Sequence, residues 1–115
     1  QYATEEGYSD CDGEYFGELV NVITENAPVL DAELGLLIDR PVAQLDPVER
    51  AVLLIGLHEL SQRLDIPYRV VINEGVELTK RFGATEGHKF VNAVLDRAAR
   101  RLRAAEQAAT GRARA

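Results

Sequence analysis

LDPVERAVLLIGLHELSQRLDIPYRVVINEGVELTKRFGATEGHKFVNAVLDRAA, residues Leu45–Ala99, decides the fold of this 115-residue chain. Three helices can be read from its starts and stops. Asp46-Pro47-Val48-Glu49 offers a side-chain acceptor, then a proline at the first helical position, where its missing N–H costs nothing. Glu49 falls at the third position and completes the pattern of a capping box. The helix so opened should run from Arg50 to about Arg63. It is almost wholly apolar across Ala51–Leu57, which makes it the central, most enclosed element. Asp65-Ile66-Pro67 breaks the chain and restarts it. Val71, Gly75, Leu78 and Phe82 then recur at steps of four, three and four, one face of a helix that Gly83 should stop. Glycine in mid-helix costs about 1 kcal/mol relative to alanine, so Gly75 predicts a close helix crossing. The last helix should begin near Thr85-Glu86 and reach about Gln107, burying Phe90, Val91, Val94, Leu95, Ala98 and Leu102. Tyr68–Ile72 is the only rival for a strand, and its context is helical.

Working outward toward the N-terminus, Phe16, Leu19, Val20 and Ile23 repeat at helical intervals from Tyr15 onward, with Glu14, Glu18 and Glu25 expected to face outward. Pro28 should end that helix and open another short one, carrying Leu30, Leu34, Leu37 and Ile38 on one face and closed by Pro41. Residues 1–14 read as an acidic loop or ragged N-terminus, 15–107 as the helical domain and 108–115 as a frayed tail. The fold class expected is all-α, with about five helices.

At 12.7 kDa the chain has room for one domain. An apolar fraction of 46% beside 28% charged residues excludes global disorder. The longest apolar run falls far short of the ~20 residues that span a bilayer, so no membrane is expected. Cys11 is the only cysteine and can form no internal disulfide, which points to a reducing, cytoplasmic setting. The chain begins with Gln1 and contains no methionine, the mark of a processed product or a fragment. The net charge of −6 hides a gradient. Residues 1–49 hold twelve acids against one base, Arg40, whereas residues 96–115 hold six arginines against two acids. Such segregation allows an RNA partner that a uniformly acidic surface would repel.

The chemistry-bearing residues cluster at the helix starts. Glu86-Gly87-His88-Lys89-Phe90 opens the last helix, whose free N–H groups and positive dipole end favour a phosphate, with Lys89 adding a mobile charge. An aromatic at that rim can stack an unpaired base; the alternative is that Phe90 anchors the helix in the core. Glu49 reads equally as a cap or as a surface acid. His58, among apolar residues, has no second ligand at helical spacing, and no Cys/His cluster offers a metal site. Asn73-Glu74 and Asn92 read as buried polar ties between helices. Arg97, Arg100, Arg101 and Arg103 should face solvent near the negative end of the last helix. No nucleophile with a partnering base is present in the pattern, and no catalytic residues or cofactors are expected.

Three blocks, VERAVLLIGLHEL, IPYRVVINEGVELTKRFG and HKFVNAVLD, stand in an order and spacing that closely resemble the C-terminal half of the NusB family of bacterial transcription antitermination factors. The resemblance covers roughly half the chain. It implies an all-helical, non-enzymatic fold of two packed bundles. It also implies a factor that pairs with the small-subunit ribosomal protein NusE and binds the box A RNA of ribosomal RNA operons. The complex so formed acts with RNA polymerase. By this resemblance Glu86, Lys89 and Phe90 lie at the RNA-binding edge, and Glu49, with Arg50 beside it, on the surface that meets NusE. The family's arginine-rich first helix has no counterpart here, Gln1-Tyr2 falling just beyond it, which predicts a weakened grip on phosphates. Two other readings follow from the same blocks. One is the NusB-like accessory module of a ribosomal RNA cytosine methyltransferase. The other is a scaffold that forms a homodimer through the apolar surface a lost first helix would uncover.

Overall fold

Four α-helices follow one another in the computed structural model: α1 (Asp10–Gly35), α2 (Pro47–Gln62), α3 (Tyr68–Phe82) and α4 (Gly87–Leu102), with a 3-10 turn at Val42–Gln44 between α1 and α2. The structure describes the backbone of residues 10–108 and the side chains of residues 20–108. Residues 1–9 of the expected acidic loop and 109–115 of the expected tail lie outside the described residues. The all-α expectation holds, and the 3-10 turn is the fifth helical element.

α2, α3 and α4 pack against one another, and α1 lies mainly against α2. Six residues of α2 are buried (Val52, Leu53, Leu54, Gly56, Leu57 and Leu60), so it is the central helix the apolar run predicted. The crossing expected at Gly75 is real, and Gly56 shares it. A Cβ on Gly56 would come within 2.5 Å of Leu95 Cδ2, and one on Gly75 within 2.8 Å of Leu95 Cδ1. Leu95 of α4, fully buried, fills a notch that two bare backbones make for it. The conformational cost of two helical glycines is offset by dispersion contacts that a wider crossing would forfeit.

Several expectations are corrected. α1 does not break at Pro28; it begins at Asp10, ahead of Tyr15, and runs through to Gly35. Proline removes one backbone donor, but Pro28 is exposed, and Ile23, Ala27, Leu30 and Leu34 continue at steps of four, three and four along the side that meets the core. The helix ends before Pro41, residues 36–40 forming turns and bends. On α3 the buried stripe is Val71, Gly75 and Thr79, not one ending in Phe82, which is 64% exposed. Thr79 is tolerated there because its hydroxyl donates to the Gly75 carbonyl at 2.8 Å. Gly83 does cap α3, its N–H reaching the Thr79 carbonyl. Asn73, Glu74 and Asn92 are exposed rather than buried, because each falls on the outer side of its helix.

Arg97, Arg100 and Arg101 are exposed as expected of the arginine cluster, and Arg103 is the exception. It is only 4% exposed. Its guanidinium donates to the carbonyls of Leu60 at 2.8 Å, Glu59 at 3.1 Å and Arg63 at 3.0 Å at the end of α2, adding to the backbone N–H groups of Arg63 and Ile66 that reach the Glu59 and Arg63 carbonyls. It also pairs with Glu106 at 2.6 Å, and the second oxygen of Glu106 accepts from the Tyr68 N–H at the start of α3. One ion pair thus caps the end of α2 and the start of α3. A turn at Arg103 breaks the last helix before residues 104–108 resume it.

Candidate nucleic-acid and partner edge

The start of α2 and the start of α4 meet at one end of the molecule. Asp46 caps α2, its carboxylate accepting from the Val48 N–H at 3.0 Å and the Glu49 N–H at 3.2 Å. The reciprocal half of the capping box is not formed, since among the described residues no hydrogen bond joins the Glu49 side chain to Asp46. Instead Glu49 Oε2 lies against Gly87, the buried first residue of α4, close enough that a Cβ there would collide with it. Burial raises the Glu49 carboxyl above its ordinary value, the Asp46 charge adds to this, and Arg40 opposes it.

The link from α3 to α4 turns sharply. The Gly87 N–H donates to the Ala84 carbonyl at 3.0 Å, and Glu86 takes a left-handed conformation at φ 72°. For a residue with a Cβ this backbone costs on the order of 1–2 kcal/mol. It directs the chain into α4 with Glu86 and Lys89 on the outside, paired at 2.6 Å and both well exposed.

Phe90 answers both of its readings in part. It is half-buried and packs on the hydrophobic core. The guanidinium of Arg40 lies over its ring, 4.6 Å from the centroid. Arg40 belongs to the turn after α1 and also reaches Asp39 Oδ1 at 3.2 Å, holding that carboxyl below its ordinary value. Arg97, further along α4, donates to the carbonyl of Leu37 in the same turn.

Glu49, Glu86, Lys89 and Phe90 are therefore brought to one end of the fold. Arg50 is engaged elsewhere, in a two-point pair with Asp31 of α1 at 3.1 and 2.5 Å, which raises its own basicity. Arg40 and Arg97 join the edge without having been singled out by spacing. The available signal was that Arg40 is the sole base among the first 49 residues.

Residues 2–100 match the NusB family. The chain belongs to that family. Among its relatives, the Transcription antitermination protein NusB of Marinomonas sp. (strain MWYL1) is 58% identical over 99 residues, 86% of this chain and 57% of the relative. The protein of the same name from Halorhodospira halophila (strain DSM 244 / SL1) is 54% identical over 103 residues, 88% of this chain and 66% of the relative. The solved structure of T. maritima NusB superposes with a TM-score of 0.76 at 33% identity, covering 84% of this chain and 68% of that one. This NusB-family chain thus spans about three-fifths of the length of the first two relatives. Those relatives are named for antitermination, not for an enzyme activity. Among the described residues no helix is long and apolar enough to cross a membrane.

Proposed function

We propose that this chain is the helical scaffold of a transcription antitermination factor. It binds single-stranded box A RNA along the start of α4 and a basic protein, the ribosomal protein NusE, beside Glu49 at the start of α2. The observation that carries the reading is the half-buried Phe90 ring with the Arg40 guanidinium over its face, on the same helix start that carries the exposed Lys89. An aromatic rim that also carries cations is the arrangement by which proteins hold unpaired bases and their phosphates. The names of the matched relatives favour this reading over a methyltransferase module.

Fluorescence anisotropy with a box A RNA tests it. Phe90→Ala should weaken binding by about 1–3 kcal/mol, the worth of one base–aromatic stack. Unchanged affinity in a folded variant would return Phe90 to the core alone. A chain extended to its relatives' length with an arginine-rich first helix should bind more tightly and with a steeper salt dependence. For the protein partner, Glu49→Lys should abolish calorimetrically measured pairing by like-charge repulsion, while Glu49→Gln should retain most of it. Because Asp46 alone caps α2, neither change removes a cap.

A further inference from the structure

We propose that Arg40 contacts the RNA directly, forming with Phe90 a two-part stacking platform, and that Arg97 is the positioning residue that holds Arg40 there. The proposal rests on the single-stranded RNA reading above and extends it to the turn after α1.

Three observations carry it. The Arg40 guanidinium lies 4.6 Å from the Phe90 centroid, inside the ~6 Å range of cation–π attraction, so the ring braces the cation. Yet 49% of the Arg40 side chain stays exposed, so the braced cation still faces solvent. Only its Nε is engaged, by the 84%-exposed Asp39; among the described residues its terminal amino groups have no hydrogen-bond partner. A guanidinium offers a flat face on which an unpaired base stacks and N–H groups that a phosphate oxygen accepts. Finally, the Arg97 side chain binds the Leu37 carbonyl, three residues before Arg40, and so fastens the turn to α4. In a half-chain where twelve acids surround it in sequence, the single base is placed over an aromatic ring at the start of α4. Lys89, exposed at the start of α4, is the second cation of this edge.

The test measures box A RNA binding by anisotropy at two salt concentrations, with melting curves, for Arg40→Gln, Arg40→Lys, Arg97→Gln, Arg97→Lys, Phe90→Ala and Lys89→Gln. Arg40→Gln should weaken binding on the order of tenfold and flatten the slope of log K against log salt by about 0.7, the value of one phosphate contact on a single strand. Its melting curve should not move. Arg40→Lys should keep the salt slope but recover only part of the affinity, because lysine lacks the flat face. Arg97→Gln should lose less, and Arg97→Lys should restore it. If Arg40→Gln binds as the parent does while Phe90→Ala and Lys89→Gln lose affinity, the Arg40 assignment is wrong and the RNA reading stands. If all three bind as the parent does, or the parent does not bind, both fall. Loss of the protein partner with RNA affinity intact would also overturn the proposal, moving Arg40 to the protein-binding surface.

Discussion

α1 and the three-helix unit behind it are held by different physics. In α2, α3 and α4 each helix has two others to pack on, the glycine notch brings backbones close, and the Arg103–Glu106 pair closes the ends. α1 is the longest helix at 26 residues but rests mainly on α2, leaving Val20 and Val29 exposed. Length does not make a helix stable; the number of faces it can bury does.

Breaking the closed unit should cost most. Arg103→Ala removes the side-chain donor from the Leu60 carbonyl and leaves the half-buried Glu106 unpaired, and should lower stability by about 2–3 kcal/mol, read by urea unfolding. A loss under 1 kcal/mol would mean that water caps that carbonyl equally well. Next comes the notch: Gly56→Ala should cost about 1–3 kcal/mol by overpacking against Leu95, and Leu95→Ala should cost less in that chain than in the parent. Simple additivity of the two changes would show that the crossing relaxes instead.

On the α1 side the effects should be smaller and local. Asp31→Asn removes the pair that ties α1 to Arg50 of α2, a partly exposed contact worth about 0.5–1 kcal/mol. Amide exchange should rise in α1 and stay unchanged in α4. Pro28→Ala restores a backbone donor within α1, so exchange there should slow while the global melting temperature hardly moves. A large rise in melting temperature would show that α1 is not the weaker region.

The smallest effect concerns Glu49. Its carboxyl is raised in the folded state, so the folded chain holds that proton more tightly than the unfolded one. The sign follows: Glu49 opposes folding above its raised pKa, and the opposition fades as pH falls toward the ordinary carboxylate value. Glu49→Gln should therefore stabilise the chain by a few tenths of a kcal/mol at neutral pH, in line with a partly exposed group. The advantage over the parent should shrink with acid. Only the difference between the two chains is informative, because Asp39 and Asp65, held low by Arg40 and Arg63, push the parent's own curve the other way.

What could be read from the residues was whatever local chemistry dictates. The Asp46 cap, the apolar run of α2 and the Gly75 crossing all follow from neighbours within one or two turns. Pro28 misled because a proline's local cost was weighed without the apolar stripe that continues on both sides of it. Arg103 was illegible for a different reason: its acceptors lie at residues 59–63, some forty positions away, and no periodicity reports a backbone carbonyl waiting for a donor. Phe82, Asn73 and Asn92 show the limit of face assignment. A helix's period says which residues share a side, while its neighbours decide which side is inside. The edge itself was half legible. Glu49, Glu86, Lys89 and Phe90 announced themselves at helix starts, whereas Arg40 reaches Phe90 only because the chain folds back.

The position of Arg103 and Glu106 along the chain has a consequence for how the protein is made. Synthesis delivers α1 and α2 first, yet the side chains that bind the end of α2 and the first N–H of α3 come from the last stretch of the helical region. Until that stretch leaves the ribosome, the Leu60 carbonyl and that N–H lack their side-chain partners, and only the backbone bonds from Arg63 and Ile66 close the end of α2. The three-helix unit should therefore close late, in one step, after most of its sequence is already available to nucleate helix. A nascent chain stalled before residue 103 would hold all the apolar residues of the notch and still lack its fastening.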